Sequence, residues 1–135
     1  MRNVKIDPTV FMGSKGNPMD ILGIGANMVK ALRYWLQAVD LTVEPNTGKR
    51  KQSFTPFGEV VFNNDPYIEE MGTLWLLHYK LASNKNEATA WYFFYNEFKQ
   101  SEFNKEDFVI CTLIMRAKAI FKVPKANHQS AKLAL

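Results

Sequence analysis

The chain is poor in the residues that build catalytic and metal centres. It holds one cysteine among 135 residues, Cys111, so no intrachain disulfide can form. That cysteine sits in the apolar run FVICTLIM, where a thiol is expected to be buried and inert rather than a nucleophile. The two histidines, His78 and His128, stand 50 positions apart and outside any CxxC or HExxH context, which argues against a zinc site. No Ser-His-Asp or Cys-His constellation is visible. Glu69 and Glu70 are adjacent on a helical stretch and point different ways, so neither they nor Glu97 make an acid–base pair. No catalytic residue is nominated, no cofactor is expected, and the chain does not read as an enzyme. No apolar run reaches the roughly 18 residues of a membrane span, and MRNVKIDPTV has no apolar signal core. A soluble, cytoplasmic protein without membrane contact is the expectation. Internal repeats and low-complexity tracts are also missing.

What remains is enough for a core. Apolar residues make up 47% and aromatics 13%, which suits one small domain with a helical accessory part. The formal charge of +4 and pI near 9.2 permit nucleic-acid binding without demanding it.

The stretch ILGIGANMVKALRYWLQAVDL, Ile21 to Leu41, invites two readings. A dinucleotide loop needs GxGxxG directly after a buried strand. Here Met28 stands where the third glycine belongs, and Asn17-Pro18-Met19-Asp20 is no strand. Glu44, the acid at about the right distance, falls in a turn, and no GxxxxGK[ST] occurs. As a helix, the segment makes better sense. At 100° per residue Met28, Leu32, Trp35, Leu36 and Val39 share one side. Lys30, Arg33, Tyr34 and Gln37 gather roughly opposite, with Asn27 at the edge and no carboxylate until Asp40. Such a face suits phosphates and base edges, or plain solvent.

The flanking order favours the first. Asn17-Pro18 caps and starts a short helix, Met19–Leu22; Gly23 and Gly25 break it, and the long helix runs from Ala26 to Asp40. Leu41–Val43 and Gln52–Phe54 read as strands around the turn Glu44-Pro45-Asn46-Thr47-Gly48, with Lys49, Arg50 and Lys51 at the tip. Thr55-Pro56 opens the helix PFGEVVF, which Gly58 weakens. This is the layout of a winged helix-turn-helix, with the long helix entering the major groove and the wing touching the backbone. Residues 1–17 are expected to be irregular. From Asp65 onward four helical stretches are expected: PYIEEM, Thr73–Ala82, Glu87–Gln100, and one capped by Asn104 running to Phe121. The fold class expected is mostly α with a small β wing, as a winged helix-turn-helix region (1–64), a helical bundle packed on it (65–123) and a loose tail (124–135). Arg116, Lys118, Lys122, Lys125 and Lys132 include no acid among them and offer a second basic stretch. The aromatic set Trp75, His78, Tyr79, Trp91, Tyr92, Phe94, Tyr95 and Phe98 reads as a core between two antiparallel helices, with base stacking as the sharper alternative.

Four blocks carry a resemblance: LGIGANMVKALRYWLQAVDL, FTPFGEVVF, DPYIEEMGTLWLLHYKLAS and TAWYFFYNEF. Across about Phe11 to Val109 the chain resembles a bacterial family known only as a domain of unknown function. The resemblance implies a winged helix followed by a helical region, and genes lying near DNA phosphorothioation and phosphoadenosine phosphosulfate reductase-like genes. Members usually carry an aromatic, basic segment ahead of the LGIG block and a longer C-terminus, and this chain departs from both. The functional expectation is a protein that binds double-stranded DNA, as an accessory or regulatory component of a DNA modification or restriction system. Asn27, Lys30, Arg33, Tyr34, Gln37, Lys49, Arg50 and Lys51 are its candidate contacts. The alternative is an adaptor with a degenerate winged helix that docks a modification or restriction enzyme.

Overall fold

The structure, a computed structural model, describes residues 1–45 and 50–120, the last six of these by their backbone alone. Asn46, Thr47 and Gly48 of the expected turn, Lys49 and the stretch from residue 121 onward lie outside the described residues, as do the side chains of Arg116 and Lys118. The described chain is mostly helical, as expected, with seven helices and one two-stranded antiparallel sheet.

The first helix, α1 (Arg2–Ile6), corrects the expectation of an irregular lead-in. Pro8, Gly13 and Gly16 dominate that stretch as breakers, yet Val4, Val10 and Phe11 are buried and join the main core. A bond from the Gln52 backbone amide to the Pro8 carbonyl, 2.8 Å, ties the segment to the stretch just before Ser53.

Helix α2 (Pro18–Leu22) starts as its sequence dictates. Asn17 Oδ1 accepts from the Met19 amide at 3.1 Å, and Pro18 occupies the first turn. Gly23 closes it in the left-handed region at φ 66°, with its amide on the Met19 carbonyl. Gly25 then precedes α3 (Ala26–Ala38). The two glycines make the tight turn the sequence requires, with no strand before it, so the dinucleotide geometry is absent here. Helix α3 buries Val29, Leu36 and Ala38, with Leu32 and Val39 packed beside them. Met28 (60% exposed) and Trp35 lie at the surface instead, a correction to the expected apolar side.

Asp40, at φ 60°, ends α3 and turns the chain into β1 (Thr42–Val43). Its partner β2 (Ser53–Phe54) pairs Thr42 with Phe54 and Val43 with Ser53. Thr55 then clasps three elements. Its Oγ1 donates to the Asp40 carbonyl and accepts from the Gly58 amide at 2.9 Å, while its own amide donates to the Leu41 carbonyl. Helix α4 (Pro56–Asn64) therefore begins flush against Leu41, itself almost fully buried.

The helix expected from Pro66 does not form. Asp65 accepts the amides of Glu69 and Glu70 on its two carboxylate oxygens, at 3.0 and 3.1 Å, and Ile68 sits at φ 58°. A carboxylate that captures the amides ahead of it favours a turn over helix. Helix α5 (Met71–Ser83) starts after that turn. Helix α6 (Thr89–Asn96) is shorter than the expected Glu87–Gln100. Asn84 accepts the Glu87 amide before it, and at its end Asn96 donates to the carbonyls of Ala82 and Tyr92. Leu81, Ala88 and Ala38 form a small second core against Val39. All of these elements belong to one compact unit, Met1–Glu97.

A second unit begins at Phe98 and contains α7 (Lys105–Ile120). Its start is a reciprocal cap: Asn104 accepts the Asp107 amide at 2.8 Å, and Asp107 accepts the Asn104 amide at 3.1 Å. Phe98 packs its ring edge-on to Phe103 and Phe108. Among the described residues no helix is long and apolar enough to cross a membrane.

Candidate nucleic-acid interface

The nominated residues on α3 separate into two groups. Asn27 and Lys30 are exposed, and their side chains make no hydrogen bond or ion pair among the described residues. The other three are engaged within the fold. Arg33 holds Glu44 through two bonds, Nε to Oε2 at 2.7 Å and Nη2 to Oε1 at 2.5 Å. Tyr34 donates its hydroxyl to the Glu87 carbonyl at 2.8 Å, and Gln37 donates to the Arg33 carbonyl at 3.1 Å. Glu44 is the residue that sequence reasoning missed: it reads as a turn acid, and nothing in an eleven-residue separation signals the pairing.

A polar chain carries that pair into the strand stem. Gln52, 1% exposed, donates weakly to Glu44 and accepts the Thr42 hydroxyl at 2.7 Å. The Arg33 hydrogen bonds hold the Glu44 carboxyl below its ordinary value, opposed by desolvation and aided by Gln52 and the nearby Arg50 charge. In turn Glu44 raises the Arg33 pKa further. The pair locks α3 to the strand stem and fixes the guanidinium.

Beside this lock lies a cleft of about 210 Å³. Asn17 and Met19 of α2, Ala26, Lys30 and Arg33 of α3, and Arg50 at the strand stem are among its lining residues. The structure thus brings Lys30, Arg33 and Arg50 to one cleft. Lys51 is exposed at the start of the returning strand segment, and Lys49 lies outside the described residues.

Charge is unevenly distributed. Among residues 1–97 ten cations meet ten acids; among 98–135 seven cations meet three, so the whole surplus of +4 lies in the second stretch. Any anion affinity of the first unit therefore rests on local arrangement, and Glu44 is the acid that offsets its cleft.

The aromatic set does not form the expected core. Trp75 is 66% exposed and Tyr79 65%, and Trp91 and Tyr95 are also at the surface. Phe93 is the buried ring of α6. The two helices pack through Leu81, Ala88 and their neighbours, leaving Trp75, Tyr79, Trp91 and Tyr95 exposed and His78, Tyr92, Phe94 and Phe98 half-buried. Among the described residues no group of three acidic, histidine or cysteine side chains could hold a metal ion.

Fold and site together define a mostly helical protein with a two-stranded antiparallel sheet and a cation-lined cleft beside α3. The chain belongs to the family described as "Protein of unknown function (DUF4007)", which matches residues 1–131. No curated protein and no solved structure matches it.

Proposed function

We propose that the protein binds double-stranded DNA through α3 and the strand pair, as a winged helix. The observation that carries this reading is the convergence of Lys30, Arg33 and Arg50 on one cleft beside the exposed start of α3. Lys30 and Arg50 grip backbone phosphates, and Arg33, steered by Glu44, adds a third contact. Asn27 and Lys30 face the groove from the first turns of α3, where the helix dipole also favours phosphate. Lys51 extends the grip from the strand stem, and Lys49, named from the sequence alone, supplies the fifth contact. Tyr34 and Gln37, both engaged within the fold, shape this face and reach the duplex only at its margin.

No catalytic group is assigned in this reading. The protein serves as an accessory or regulatory component of a bacterial DNA modification or restriction system, phosphorothioation being the one its family resemblance implies. Fluorescence anisotropy of a labelled mixed-sequence duplex over a salt series tests the binding. Five cation–phosphate contacts give a log–log slope of about −4.5. Absence of binding at low salt, or a slope near zero, refutes it.

A further inference from the structure

We propose that a strip of surface aromatic rings on α3, α6 and α5 binds unpaired bases of single-stranded DNA by stacking. The rings form an unbroken series. Tyr34 meets Trp35 at 5.1 Å between centroids, and Trp35 meets Trp91 at 6.3 Å. Trp91 lies within 11° of parallel to Tyr95 at 6.2 Å; Tyr95 meets His78 at 4.8 Å, and His78 meets Trp75 at 6.3 Å. Every ring but His78 is exposed. A series of this kind is costly to leave against water.

The chemistry of the occupant follows from what adjoins the strip. Lys30 lies one helical turn before Tyr34 on the same face of α3, so the rings begin where the cation-lined cleft ends. Apart from the Trp91–Tyr95 pair, the other four ring contacts are edge-on, at 66° to 88°. Exposed rings beside a cation match single-stranded nucleic acid, in which each base has a π-face to stack and the phosphates carry the charge that Lys30 meets. A duplex hides its base faces, so stacking on the strip is separate from the duplex contact proposed above, although Lys30 serves both.

The test uses the full chain and two probes, an oligothymidylate and an abasic deoxyribose-phosphate strand of equal length. Tryptophan quenching and anisotropy report binding. Oligothymidylate quenches the emission, and the abasic strand binds at least about tenfold more weakly, since stacking supplies much of the affinity. Trp75→Ala and Trp91→Ala each weaken oligothymidylate binding by roughly 5- to 100-fold, while Trp91→Phe keeps most of it. Trp75 is largely exposed, so its variant tests the strip even if Trp91→Ala perturbs folding. Lys30→Glu weakens both strands, which separates phosphate gripping from stacking. Equal affinity for the two strands overturns the proposal, as does a folded Trp75→Ala variant that binds like wild type. So does self-association through the strip, abolished by Trp75→Glu, with no quenching by oligothymidylate. Loss of duplex binding alone leaves it standing.

Discussion

Replacing Gly58 by alanine puts the packing of α4 on Leu41 to a direct test. Gly58 is buried in the first turn of α4. A Cβ there would overlap the Leu41 carbonyl oxygen and stand 2.8 Å from its carbonyl carbon and 3.2 Å from its Cα. These are backbone atoms and cannot rotate away. Leu41 is pinned on both sides, its amide on the Leu36 carbonyl at 2.9 Å and its carbonyl taken by the Thr55 amide at 3.1 Å. Overpacking costs about 1–3 kcal/mol, and disturbing the Thr55–Leu41 bond adds about 1 kcal/mol. Against this, alanine gains about 1 kcal/mol in helix propensity. The net expectation for Gly58→Ala is a loss of about 1–3 kcal/mol. For a unit of this size that lowers Tm by about 5–20 °C. Gly72, in the first turn of α5, is the matched control, because a Cβ there meets nothing within 4 Å. Gly72→Ala leaves stability unchanged or raises it by about 0.5 kcal/mol. Thermal and urea unfolding followed by circular dichroism read both variants. If Gly58→Ala is as stable as Gly72→Ala, helix propensity alone governs the site and the flush packing of α4 on Leu41 is refuted.

Glu44→Gln removes the charge that holds Arg33. The pair is partly exposed, so after screening the loss is about 1–2 kcal/mol rather than the full value of a bidentate charged bond. The same substitution tightens duplex binding severalfold, because the acid offsetting Arg33 and Arg50 is gone; lower stability with weaker binding contradicts this. Acid unfolding follows from three depressed carboxyl pKa values. Glu44 is lowered chiefly by the Arg33 hydrogen bonds, Asp65 by the Glu69 amide and Asp7 by the Thr9 hydroxyl. A lowered folded pKa means that the unfolded chain takes up protons first as pH falls. Their stabilisation is therefore complete above the ordinary values, 4.5 for Glu44 and 3.8 for the two aspartates, and is lost as pH falls through the folded values. Urea midpoints between pH 6 and 3 check this, and a flat profile opposes it.

Much of the first half of the fold was legible because its signals are local. Asn17-Pro18, Gly23 with Gly25, and Thr55-Pro56 each specify a cap or a turn within four residues, and the structure has all three. The strand pair was likewise readable from its turn chemistry, within a residue at each end. What failed depends on distance. The Asp65 carboxylate captures amides four and five residues on, which turned a helical pattern into a turn. Val4, Val10 and Phe11 follow no period, so their place in the core was hidden. Wheel geometry points Met28 and Trp35 inward, but the side α3 buries is set by Val4 of α1, Leu41 and Val61 of α4. At the candidate site the residue types were readable, whereas the Arg33–Glu44 lock and the outward turn of the aromatic rings are tertiary facts.

The most direct measurement compares two double charge reversals with the same change in net charge. Lys30→Glu/Arg50→Glu alters the cleft, and Lys99→Glu/Lys105→Glu alters the second unit. Both are titrated against a labelled duplex by fluorescence anisotropy over a salt series. If DNA lies on α3 and the strand pair, the first variant loses binding and the second retains most of it, with its salt slope nearly unchanged. Equal losses, or binding that survives reversal at Lys30 and Arg50, would remove that face from any DNA-binding role.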